Sequence, residues 1–187
     1  MKPIFILHEG HNKKTNDNKL IRLLIEHLEL DGNKIDFHGM GSKSNFFKPD
    51  NYNFFKQAVD TNQIEKLLFI VDADNIENDA VYGGFENTQT ALNTIIDQLG
   101  FQGISNTYIV CDPATKTGYL ESFILSTIPD AQRKCIECFL DCSQFKSKEN
   151  HKAILNQIYN IAYPNAPYDF EHAHFAQLKT ELIRLFS

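Results

Sequence analysis

The sequence predicts an α/β domain of about four mostly parallel strands between helices, followed by a helical C-terminal extension. Three observations carry that reading. Short strand-like runs at 3–7, 34–38, 67–71 and 107–111 alternate with segments whose apolar residues recur at helical spacing. The run 67–71 is five apolar residues without a break, as in a strand covered on both faces. From Asp130 onward strand patterns stop and helical ones take over. At 187 residues the chain suits one core, with 1–127 as the α/β part and 128–187 packed on it.

The first run, 3–7, ends on His8, Glu9 and Gly10. It is too short for a signal peptide or a membrane span, so a cytoplasmic protein is the expectation. Thr15, Asn16 or Asp17 can cap a helix whose stripe is Leu20, Leu24 and Leu28, with Ile21 and Ile25 beside it. Gly39 and Gly41 mark the bend after the second strand. Phe46, Phe47, Tyr52, Phe54 and Phe55 then occur among Lys43, Lys48 and Lys56. Rings interleaved with lysines are one way to stack single-stranded nucleic acid. However, Tyr52, Phe55 and Val59 have the spacing of a buried stripe on a helix over 51–63, and that is the preferred reading.

The third run delivers Asp72 and Asp74 to its end. On an extended chain a spacing of two points both carboxylates to the same side. Two such anions repel unless a cation lies between them or one takes up a proton. A hard divalent ion with oxygen ligands, magnesium above all, is the economical solution. The polar loop 76–84 follows, with Glu77 and Asp79 as further oxygen donors or simply solvated acids. A helix over 86–99 comes next, stopped by Gly100. The fourth strand ends on Asp112, and Gly118-Tyr-Leu-Glu121 opens a helix reaching 127, with Glu121 in its first turn. Glu9, Asp72 with Asp74, and Asp112 all lie just after strands, and in an open parallel sheet those ends share one ligand-binding edge.

Helices are predicted at 131–141, 149–162 and 170–186, the last with the stripe Phe175, Leu178, Leu182, Leu185. Cys135, Cys138 and Cys142 are read as small apolar residues on one helix face rather than as a soft-metal site. His172 and His174, two apart on a helix, are read as diverging surface residues. A net charge of −6 argues against broad electrostatic contact with nucleic acid, so a polynucleotide or nucleotide would have to be met locally.

Glu9-Gly10 in Ile-Leu-His-Glu-Gly, with Asp72-Ala-Asp74 on a later strand, resembles the TOPRIM domain shared by topoisomerases, primases and nucleases of the overcoming-lysogenisation-defect class. The block Tyr-Ile-Val-Cys-Asp-Pro followed by Gly118-Tyr-Leu-Glu121 is similar to the third block of a small stand-alone TOPRIM-related family of prokaryotes. The resemblance covers roughly residues 3–127 and implies a Rossmann-like core. It also implies Glu9 as general acid/base or metal ligand, Asp72 and Asp74 as ligands of Mg2+ or Mn2+, and Glu121, with Asp112, as a second acidic cluster. Gly10, Lys13 and Asn75, beside these acids in sequence, are the candidate substrate-binding residues.

Two departures stand out. Asp17 is displaced from the short link that many TOPRIM sequences place after Glu-Gly, and no topoisomerase tyrosine or primase zinc motif is present. Strand passage and priming are therefore not expected. Two readings follow from different classes. One is a magnesium-dependent enzyme acting on phosphodiesters or transferring phosphoryl groups, such as a small nuclease. The other is a non-catalytic metal- or nucleotide-binding module that regulates a partner. The motif Asp-x-Asp also serves sugar-nucleotide transferases, and strand-end carboxylates also cap helices. Either leading reading requires acids distant in sequence to meet at a shared rim.

Overall fold

The four expected strands are present as β1 (Ile4–His8), β2 (Ile35–Gly39), β3 (Lys66–Asp72) and β4 (Ser105–Val110). They form an all-parallel sheet in the order β2-β1-β3-β4, an α/β arrangement of Rossmann-like type. The computed structural model describes residues 3–11, 15–142 and 168–187. Lys13 and the predicted helix 149–162 lie outside the described residues.

Helices cover both faces because the strand side chains alternate between two apolar clusters. Ile4, Ile6, Leu68, Ile70, Tyr108 and Val110 face α1 (Asn16–His27) and share its core with Phe123 of α5 (Leu120–Leu125). Leu7, Leu67, Phe69, Val71 and Ile109 face the opposite way. There they meet Phe46 of α2 (Lys43–Phe46), Phe55 of α3 (Asn53–Asp60) and Leu92 of α4 (Phe85–Leu99). Thr15 caps α1 through a side-chain bond from the Asn18 N–H, and Gly100 ends α4 in the left-handed region at φ 74°. The aromatic segment is largely core: Phe46, Tyr52 and Phe55 are buried, whereas Phe54 is exposed. A short 3-10 turn, Pro49–Tyr52, precedes α3, which therefore starts later than the periodicity alone implies.

The C-terminal stripe completes the α1 face. Phe175, Leu178, Leu182 and Leu185 are at most 2% exposed and belong to the same cluster as Ile4 and Ile6. Here the predicted helix 170–186 is shorter, α7 (Ala176–Arg184), and is preceded by a 3-10 turn, Ala173–Phe175. His172 precedes that turn and His174 lies within it, and they do not diverge: their rings lie 4.5 Å apart, because the backbone here is not yet α-helical. The His174 Nδ1 also lies 2.9 Å from the buried Ser126 Oγ, which fixes the turn to the end of α5. The remaining helix, α6 (Asp130–Cys142), buries Leu140. Its Cys135, Cys138 and Cys142 are exposed, contrary to the apolar-face reading, while Cys111 is buried. Among the described residues no helix is long and apolar enough to cross a membrane.

Phe69 lies at the centre of the α3/α4 layer, fully buried and within 6.0 Å of Tyr52 and 6.3 Å of Phe46 by ring centroids. Removing the ring leaves a cavity that rigid neighbours on three sides cannot fill. Phe69→Ala is expected to lower unfolding free energy by about 3–5 kcal/mol in denaturant titrations. A loss under about 1 kcal/mol would contradict the packing described.

Candidate functional site at the carboxyl edge of the sheet

The chain leaves β1 for β2 on one side and later enters β3 on the other, so the direction of winding reverses between β1 and β3. Such a reversal opens a crevice beyond the strand ends, the usual ligand position in open α/β sheets. Glu9 follows β1, and Asp72 ends β3. The Ala73 N–H points to Val110 of β4, so the preceding Asp72 N–H points to β1, whose ladder has already stopped at His8. The Glu9 carboxylate takes that next acceptor position, with Oε1 2.8 Å from the Asp72 nitrogen. Residues 63 apart in sequence thereby meet at one rim.

Asp74 reaches the rim by a different route from the extended chain that its spacing implies. The strand ends at Asp72, and Asp74 adopts φ 59°, the left-handed region that aspartate tolerates better than most residues. An isolated antiparallel bridge to Gly118 holds it there: the Asp74 N–H donates to the Gly118 carbonyl, and the Gly118 N–H returns to Asp74 at 3.1 Å. Gly118 has φ 94°, and a Cβ at this position would stand 2.5 Å from Ser122 Oγ. The loop after β4 thus straps the end of β3.

Lys43, which in the sequence is one of three lysines among aromatic residues, stands beside Asp74. Its side chain is buried, its Nζ donates to the Ala73 carbonyl at 2.7 Å, and it stands 3.7 Å from Asp74 Oδ2. Burial pushes the Lys43 ammonium below its usual pKa, while the charges of Asp74, Glu9, Asp79 and Asp72, in that order, pull it back up. The charge of Asp79 thus reaches the ammonium from the β3–α4 loop. Asp79 also accepts the Val81 and Tyr82 N–H groups and so shapes the loop that carries it.

The other candidates divide. Gly10 approaches Thr15 so closely that a Cβ would lie 2.5 Å from its methyl, making Gly10 a packing requirement at the β1–α1 junction. The Asn75 carbonyl opens the β3–α4 loop by accepting the Asn78 and Asp79 N–H groups. Asp112 spends an oxygen on the Ala114 N–H in its own turn. Glu121 is buried at the start of α5, where its charge and that of Asp17 both act on Tyr168. Among the described residues no three His, Cys, Asp or Glu side chains stand as a ready-made ligand set.

The rim also contains His8, which the sequence reading passed over as a strand end. It is fully buried, and neither ring nitrogen has a hydrogen-bond partner. Phe37 packs edge-on against its ring at 6.2 Å. Compared with protein-family models, with curated proteins and with solved structures, the chain matches none. Function must therefore be argued from this rim.

Burial, reinforced by the positive charges of His38 and Arg22, lowers the His8 pKa to about 4 from the ordinary 6.5. Below pH 6.5 the unfolded chain takes up a proton that the folded chain refuses until about pH 4. Stability is therefore full above that window and falls as pH is lowered through it, by on the order of 3 kcal/mol for this group. His8→Leu is expected to flatten the pH dependence of urea unfolding between pH 7 and 4.5. An unchanged slope in the variant would show that His8 is not the group responsible.

Proposed function

We propose that this chain is a magnesium-dependent enzyme of TOPRIM type that cleaves phosphodiesters or transfers phosphoryl groups, most simply a small nuclease. The reading is supported above all by the convergence of Glu9 with Asp72 at the switch point, the pairing on which the sequence resemblance depends. The Lys43 ammonium stands 3.7 Å from Asp74 Oδ2, and the charges of Glu9, Asp79 and Asp72 also act on it. The acids outnumber this ammonium, and their donors are all oxygens, which suits magnesium or manganese. The donor chemistry therefore fits the ion.

Asp72 and Asp74 would hold the ion, with Glu9 positioned beside them to accept or deliver the proton of an attacking water. A bound magnesium supplies Lewis-acid polarisation of phosphate oxygens and a lowered pKa for water. Glu9 is half-buried and already fixed by the Asp72 N–H, so its carboxylate is oriented before any substrate arrives. The net charge of −6 favours a nucleotide or short strand over a duplex gripped along its length.

Calorimetric titration with magnesium chloride tests the first half of this reading. Asp72→Asn and Asp74→Asn are each expected to weaken binding about tenfold or more. Activity on single- and double-stranded DNA, RNA and a chromogenic phosphodiester tests the second half, with Glu9→Gln expected to lose at least about a hundredfold in rate. Magnesium binding without turnover on any of these substrates would instead identify a non-catalytic metal- or nucleotide-binding module.

A further inference from the structure

We propose that Lys43 is the resident counter-cation of the acid rim, and that a divalent ion enters by displacing its ammonium from Asp74, so that Lys43 sets the cation affinity of the site. This rests on the metal-dependent reading above. The geometry separates two jobs of one side chain. The 2.7 Å bond to the Ala73 carbonyl is short and anchors the ammonium to the backbone of the β3 exit. The 3.7 Å contact to Asp74 Oδ2 is looser and is the one that an incoming cation contests.

The anchor is itself well supported. The Ala73 carbonyl also accepts the Gly84 N–H at 2.9 Å, which closes the β3–α4 loop, and the buried Thr88 hydroxyl stands 3.4 Å away. Lys43 is delivered there by α2, whose Phe46 is fully buried one turn further on. The ammonium therefore has a fixed place within the field of Asp74, Glu9, Asp79 and Asp72. A positive charge held in that place opposes a second cation by simple repulsion, which is strong at separations of a few ångströms in a partly buried site.

The test is magnesium calorimetry on the full chain, comparing wild type with Lys43→Met and Lys43→Arg. The methionine variant is expected to bind magnesium roughly tenfold tighter, and the arginine variant, which keeps the charge, within about twofold of wild type. Lys43→Gln retains a donor for the Ala73 carbonyl and is expected to tighten binding as methionine does. It serves if Lys43→Met fails to give a cooperative thermal transition. A role confined to packing would weaken binding or leave it unchanged in every variant. Wild-type binding with no tightening in the methionine or glutamine variant overturns the proposal and leaves the metal reading intact, as does equal tightening in the arginine variant. Binding by none of the proteins, wild type included, overturns the metal reading and the proposal together.

Discussion

Carboxylates at the end of a buried strand must be compensated, and the architecture of this rim follows from how that is done. The Asp72 N–H satisfies one oxygen of Glu9, and the Lys43 ammonium faces Asp74 from below the loop. Each of these groups is placed by the packing of a different element: β1, β3 and α2. Weakening the core beneath any of the three would therefore loosen the polar group as well as the fold, because burying an uncompensated charge is far costlier than exposing it.

The sheet order makes this meeting unavoidable. Once β1 lies between β2 and β3, whatever follows β1 and β3 shares a crevice that no crossover helix covers. Helices on the two faces exclude water from the strands and leave the carboxyl edge as the place where polar groups can gather. The strap from the Gly118 loop adds a second constraint, since it fixes the backbone of Asp74 in a conformation that few residues accept. Asp74 is thus selected twice, for its charge and for its tolerance of positive φ.

Much of this was legible in the sequence. Apolar runs that end on acids mark buried strands and their exits, so the four strands and the positions of Glu9 and Asp72 could be read directly. What escaped were groups whose environment is set by tertiary packing. Lys43 looks like one of three lysines among aromatics. Its place one turn before the buried Phe46 distinguishes it from Lys48 and Lys56, both of them exposed. The same reason explains His8, whose burial depends on α1 and Phe37 closing over it. Conversely, Asp112 looks equivalent to the other strand-end acids, and Glu121 joins it only through the resemblance. Local turn chemistry diverts the first, and the start of α5 buries the second beside Tyr168. For the C-terminal residues, helical periodicity found the stripe but not the 3-10 turn that brings two histidine rings together.

One feature of the α1 face bears on how the polypeptide is made. Ile4 and Ile6 are buried in the same cluster as Leu178, Leu182 and Leu185. Contacts across so long a stretch carry a large loop-closure entropy and form late. During synthesis α1 therefore covers this sheet face only in part until residues 175–185 emerge, and the apolar surface left open in that interval is the surface most exposed to contact with other chains.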